Sequence, residues 1–437
     1  MAILTRDEAR QIMEKVIRLS KADDCVVNLN GNVGGNVRYA RNTVTTSGEE
    51  QNTSLSVESA FGKRTGTASI NEFDDASLEK VVRRSEELAQ LAPENPEYME
   101  PLGPQQYKES KTYFESTANI TPDYRAKASE SSINPSKKNG LVAAGFLVDS
   151  NSFRAIMNSK GLFAYNQNTN VEFSVTMRTE DGRGSGWVSR DYNDVNLLDA
   201  AAASDIAVQK ALGSADAVAL EPGKYTVILE PDASVGLLSS LFRMDARTAD
   251  EGRSFLSKAG GGTRLGEKMF DERVTVYSDP FDPIVPTSPF TGEGLPAEKT
   301  MWIENGVVKN LSYSRYWAKE KGVEPLPRAV NGIMEGGTKT TAELVASTKR
   351  GILVTRTWYI RMVDPQSLLL TGLTRDGTFY IEDGKIKHAV KNFRFNESPV
   401  IMLNNIEELG KPVRCNGYMI PPMKIRDFTF SSLSDAV

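Results

Sequence analysis

Three dipeptides in the second half of the chain, Asn305-Gly306, Asp376-Gly377 and Asp383-Gly384, constrain the fold more than any other feature. Each is flanked by short runs such as "MWIE", "VVKN", "TFYIE" and "KIKHAV". Residues that tolerate a left-handed backbone, placed between two such runs, form the tight turn of an antiparallel hairpin. The pattern predicts a twisted antiparallel sheet or barrel that begins near "EPGKYTVILEP" and fills residues 221–437. One short helix is expected on it, opened by Ser398-Pro399, with Leu403, Ile406 and Leu409 inward and Gly410 as its stop.

The first half reads differently. Thr5 and Glu8 form a capping box ahead of Ile12, Val16 and Leu19, which share one helical face, so a helix is expected over 5–20. The runs "CVVNLN", "NVRYA" and "TSLSVESA" follow as strands, with "GKRTGTASI" as a hairpin partner. Asp75 opens a second helix through Leu78, Val82 and Leu88. The four prolines of "LAPENPEYMEPLGPQQY" stiffen 91–107 into a connection across the surface. Thr121-Pro122 starts another helix, residues 141–178 alternate as a meander with "NSKG" as a turn, and an Ala-rich helix over 197–212 stops at Gly213. The expected class is α+β: an N-terminal domain over 1–220 with antiparallel sheet and helices, then the β-rich domain.

Composition excludes several functions. With 39% hydrophobic and 25% charged residues, 437 residues suffice for two or more globular domains. The net charge of -5 argues against nonspecific nucleic-acid binding, which needs clustered cations. No window approaches the roughly 18 apolar residues of a membrane span, and the N-terminus lacks the features of a signal peptide, so a cytoplasmic location is expected. Cys25 and Cys415 cannot form a disulfide framework.

The stretch "PDASVGLLSSLFRMDARTADEGRSF" (231–255) follows a strand and begins as a buried helix, with Val235, Leu238, Leu241 and Phe242 at helical spacing. That is a place where hydrolases mount chemistry, but it carries no group suited to the task. A helical zinc-peptidase motif needs two imidazoles and a glutamate, whereas this chain has one histidine. His388 lies in "KIKHAV", which reads as a half-exposed strand position. With Cys415 it supplies fewer than the three protein ligands of a usual catalytic zinc. Cys415 with His388 as a nucleophile pair has only the residue types in its favour. "GRGSGW" (182–187) sits between strands instead of at a strand-to-helix elbow. The glycine runs "GNVGGN" (31–36) and "AGGGTRLG" (259–266) match no phosphate motif and are expected to be turns and a mobile loop. Arg247 and Glu251 pair at i,i+4 on a solvated face.

The chain as a whole resembles the TldD/PmbA family, the proteins also called modulators of DNA gyrase and regarded as a peptidase system. The likeness runs in order through "RNTVTTSGEEQNTSLSVESAFGKRTGTASIN", "SLEKVVRRSEELAQLAPENPE", "EPGKYTVILEP", "FTGEGLPAEKTMWIENGVVKN", "GTKTTAELVASTKRGILVTR" and "FYIEDGKIKHAVKNFRFNESPVIMLNNIEELG". Catalytic TldD-type members carry His-Glu-x-x-x-His after the strand matching "KYTVILEP", and a cysteine near the C-terminus, together binding zinc. Here those positions read Ser239, Ser240, Leu241, Phe242, Arg243 and Met244. Cys415 stands near the family's cysteine ligand as a vestige. The pattern is similar to the PmbA (TldE) branch, which implies a non-catalytic subunit of a cytoplasmic zinc peptidase. By that resemblance the partner is a TldD-type chain, zinc belongs to that partner and not to this chain alone, and unfolded peptide enters a shared chamber as an added strand. The competing expectation is a stand-alone homodimer that binds peptides or another ligand without hydrolysing them; a third is an independent hydrolase using Cys415.

Overall fold

In the computed structural model, residues 3–434 are described. The chain begins with α1 (Arg6–Leu19), whose capping box at Thr5 and Glu8 is formed as expected. Then follow β1 (Asp24–Ala40), β2 (Thr43–Phe61), β3 (Arg64–Ile70), α2 (Asp75–Leu91), α3 (Glu115–Ala118), α4 (Pro122–Lys138), β4 (Leu141–Asn158), β5 (Phe163–Thr179), β6 (Ser185–Tyr192) and α5 (Ala200–Gly213). The six strands form one antiparallel sheet in the order β3-β2-β1-β4-β5-β6.

Because side chains alternate along a strand, this sheet has two chemically distinct faces. On one, Val27, Leu29, Leu55, Val57 and Ala155 pack against α1 and α2, while Val37, Tyr39, Leu147, Phe173 and Val175 pack against α4 and α5. Between the two cores lies "GNVGGN", which is neither a turn nor a loop: it is the middle of β1, joining "CVVNLN" and "NVRYA" into one strand. Its glycines serve close approach. A Cβ on Gly35 would fall about 2.0 Å from the Arg125 guanidinium, and one on Gly34 would fall 2.2 Å from the Asp149 carbonyl oxygen. Arg125 reaches that gap from α4 to make a bidentate pair with Asp149, Nε to Oδ1 at 2.6 Å and Nη2 to Oδ2 at 2.9 Å. "AGGGTRLG" is, as expected, a succession of turns, with Gly260, Gly261, Gly262 and Gly266 at positive φ.

The second half opens with β7 (Gly223–Leu229) and α6 (Pro231–Leu238). Among the described residues it holds two sheets. The larger runs Thr357–Asp364, Leu369–Thr374, Phe393–Glu397, Met423–Leu433, β7, Arg350–Val354, Thr378–Glu382, Lys385–Ala389, with Ile406–Leu409 beside Met423–Leu433. The smaller runs Val307–Val308, Thr300–Glu304, Val276–Ser278, Ile333–Met334, Tyr418–Ile420, Val413–Cys415. Most pairs are antiparallel; β7 with Arg350–Val354 and Ile333 with Met419 are parallel.

Asn305-Gly306 and Asp383-Gly384 make the expected hairpins. Asp376-Gly377 does not. It has the left-handed backbone of such a turn, φ 54° and 122°, but carries the chain between strands that are not neighbours in the sheet. What selects this path is burial of the turn itself: Asp376 accepts a bond from Ser185 Oγ at 2.6 Å and pairs with Arg356, whose guanidinium lies 3.8 Å from the centre of the Trp187 ring. The helix opened by Ser398-Pro399 ends at Asn404 instead of Gly410. Ile406–Leu409 is a strand, because the edge of Met423–Leu433 offers main-chain partners that continued helix would forgo.

Candidate functional site

Two places could hold function: the corner after α6 and the cleft over the exposed face of the first sheet. At the corner, β7 delivers the chain to Glu230, and Pro231 starts α6 at the position its fixed φ favours. The helix does not continue through Phe242. It stops at Leu238, resumes as a single tight turn over Leu241–Arg243, and closes at Met244 in the left-handed region, φ 30° and ψ 41°. Met244 O accepts the Ser312 amide at 2.7 Å, which fixes the bend.

The side chains here face the core. Leu241 is fully buried, Met244 nearly so, and Phe242 stacks on Tyr418 with ring centres 5.2 Å apart. Ser239 Oγ donates to Gly236 O at 3.0 Å, Ser240 is half-buried and Arg243 is exposed. Cys415 is buried at the end of strand Val413–Cys415, and its thiol donates to Asp232 Oδ1 at 2.9 Å. Thus the structure gathers Phe242, Met244 and Cys415 into one apolar cluster.

These residues do not fit a zinc ion. The serine hydroxyl of Ser239 is bonded within its own helix, leucine and phenylalanine offer no donor, and burial followed by the Asp232 carboxylate pushes the Cys415 thiol far above its ordinary range. A buried thiol whose hydrogen is donated to Asp232 is not set up as a nucleophile. His388 stands exposed on the outer strand Lys385–Ala389 of the large sheet, stacked on Tyr380 at 5.2 Å, whereas Cys415 belongs to the smaller sheet. A Cys415–His388 pair is therefore not formed. Among the described residues no group of three or more His, Cys, Asp or Glu is placed to hold a metal.

The second place is built by the even-numbered residues of β1. Asn30 pairs with Ser54 on one side and Arg154 on the other, and Arg154 pairs with Asn166. The next row is Asn52, Asn32, Ser152 and Asn168. Further along, Glu172 of β5 stands beside Asp191 of β6. The apolar end of this face is covered by Phe290; the polar remainder is open. Cavities of about 370, 600 and 410 Å³ lie over it and share lining residues: Arg154 and Ser288 join the first two, Thr287 and Val330 the second and third, and Asn168 the first and third. They form one cleft, which ends at Arg414, Asn416 and Tyr418, next to Cys415. Arg414 ties the end wall together, Nε to Asp191 Oδ2 at 2.9 Å and Nη1 to Asn193 Oδ1 at 2.7 Å.

No known motif marks this face, although the sequence carries its signal. "NLNGN" (28–32) and "NQNTN" (166–170) each place asparagine at every second residue, the period that puts all three on one side of a strand. Their juxtaposition required β1 and β5 to flank β4, which no local pattern states.

Comparison with known proteins decides the family. Models of the PmbA/TldA metallopeptidase match domain 1 over residues 25–89, the central domain over 107–215 and the C-terminal domain over 222–432. The chain belongs to the PmbA/TldD family. A "Metalloprotease" of Methanothermobacter thermautotrophicus is 24% identical over 293 residues, 61% of this chain and 62% of that protein. An uncharacterized protein of Methanocaldococcus jannaschii is 27% identical over 274 residues, 62% of each chain. The match thus spans under two thirds of these curated relatives' length. TldE from Thermococcus kodakarensis superposes with a TM-score of 0.88 at 20% identity, covering 96% of this chain and 100% of that one. A putative modulator of a DNA gyrase from Thermotoga maritima gives 0.87 at 19%, covering 97% and 100%. At such identities these structures establish that the PmbA/TldD fold is shared. No helix among the described residues is long and apolar enough to cross a membrane.

Proposed function

We propose that this chain is a non-catalytic, TldE-like subunit of a cytoplasmic zinc peptidase, paired with a TldD-type chain that carries the metal and processing unfolded peptides. One observation carries the reading: at the family's metal-motif positions Leu241, Phe242 and Met244 are core side chains, and the adjacent Cys415 thiol donates to Asp232. A second feature supports a partner. Strand Thr357–Asp364 is an edge of the large sheet and exposes Trp358, Tyr359, Met362 and Val363, an apolar edge that an isolated protein would ordinarily protect. This strand packs directly on α6, with Thr357 Oγ1 donating to Ala233 O at 2.7 Å, so a chain seated there would adjoin the corner.

The test is reconstitution with a family member that retains His-Glu-x-x-x-His. Hydrolysis of an unfolded peptide by the mixture, by neither chain alone, with zinc in the mixture's complex and none in this chain, is the expected result. Zinc-dependent turnover by this chain alone would end the proposal. The stand-alone binding reading draws on one observation, that the cleft is complete within a single chain; it predicts peptide binding with no complex formed in the mixture.

A further inference from the structure

Arg154 is the least explained charge in the molecule. It stands mid-sheet between Asn30 and Asn166, lines both the 370 and the 600 Å³ parts of the cleft, and is half-buried. Among the described residues it has neither a hydrogen bond nor an ion pair, and burial alone acts on it, lowering its affinity for the proton without displacing it. Its neighbours in the larger cavity are matched: Arg328 pairs with Asp245 at 3.2 Å and Arg315 with Glu293 at 3.7 Å. Three guanidiniums and two carboxylates line that cavity, so Arg154 is the unbalanced one. The loop opposite accommodates it through Gly292, where a Cβ would stand 3.0 Å from Arg154 Nη2.

Two buried polar atoms in the same cleft also have no partner: Thr287 Oγ1 and Asp191 Oδ1. Both atoms are closed off from solvent, so the groups that a ligand in the open cleft meets are Arg154 and the asparagine rows. The asparagine rows both donate and accept, as a peptide main chain does. Their spacing along a strand, two residues or about 6.6–6.8 Å, equals the two-residue repeat of an extended peptide laid parallel to them.

We propose that the cleft binds an extended peptide with a carboxylate seated on Arg154 and its main-chain amides running along the asparagine rows. This deepens the peptide-handling reading above and rests on it for the class of ligand. The shared chemistry is a carboxylate, supplied either by the peptide's own terminus or by an aspartate or glutamate side chain.

The test uses the full chain alone and a fluorescein-labelled octapeptide of alanine, serine and valine in four forms: free C-terminal acid, C-terminal amide, and the amide with one internal glutamate or glutamine. Fluorescence anisotropy should show one carboxylate form binding at least ten-fold more tightly than its neutral counterpart. Which pair separates, acid from amide or glutamate from glutamine, names the source. Arg154→Gln should abolish that difference and Arg154→Lys restore part of it, with unchanged melting temperatures. Equal binding of charged and neutral forms, an intact difference in Arg154→Gln, or no binding of any form overturns the proposal. So does binding of an acidic oligosaccharide in place of every peptide. No second chain is present in this assay, so its failure is separate from a failure to reconstitute the peptidase.

Discussion

The corner after α6 and the cleft beside it treat their side chains in opposite ways. At the corner most candidate groups are taken up by the fold: Leu241, Phe242 and Met244 fill the core, Ser239 bonds its own helix, and the Cys415 thiol donates a hydrogen bond to Asp232. In the cleft, Arg154, Thr287 Oγ1 and Asp191 Oδ1 are left without partners. A protein under selection for stability alone would have reversed this, because unmatched polar groups cost free energy and can be removed cheaply. On the proposed reading, the contrast separates a recognition cleft from a corner without catalytic groups.

That comparison can be broken most forcefully at the corner. Leu241→Ala should cost about 3–5 kcal/mol of unfolding free energy, the range for a leucine truncated in a packed core, read from urea denaturation at constant m-value. A loss under about 1 kcal/mol would mean that the segment is a mobile remnant of a site, not core.

A second measurement sharpens the status of the buried thiols. Burial pushes Cys25 up to about 11, from an ordinary value of 9.0. A group whose folded pKa is raised contributes fully below its unfolded pKa and loses that contribution as pH climbs through the folded one. Stability should therefore decline between about pH 9 and pH 11, and Cys25→Ala should remove about 2–3 kcal/mol of that decline. Cys415, displaced in the same direction, should resist iodoacetamide in the native protein at pH 8 and react on unfolding. Rapid native alkylation of Cys415 would contradict the closed corner.

The smallest effect should have the opposite sign. Arg154→Met removes a half-buried charge with no partner, so it should leave stability unchanged or raise it by up to about 1 kcal/mol while abolishing carboxylate discrimination. A loss above 1 kcal/mol would show that Arg154 serves packing.

Legibility in the sequence followed the range of the interactions. Capping at Thr5, the proline start at Pro122 and the hairpins at Asn305-Gly306 and Asp383-Gly384 were readable because each is set within about four residues. The strand Ile406–Leu409 was not: Leu403, Ile406 and Leu409 suit a helix face, and only the open edge of Met423–Leu433 converts them. "GNVGGN" misled for the same reason, since Gly35 answers to Arg125 and Gly34 to Asp149, ninety or more residues away in the chain.

By itself the sequence determined the α+β class, the family likeness and the shortage of imidazole, because composition and short-range backbone preference are written residue by residue. Tertiary structure alone decided that Met244 and Cys415 would join one core cluster, that Asp376-Gly377 would turn between strands that are not neighbours, and that two asparagine runs would meet as one face around Arg154. Those outcomes depend on which strands pair, and pairing is settled by burial summed over the whole sheet, which no local window contains.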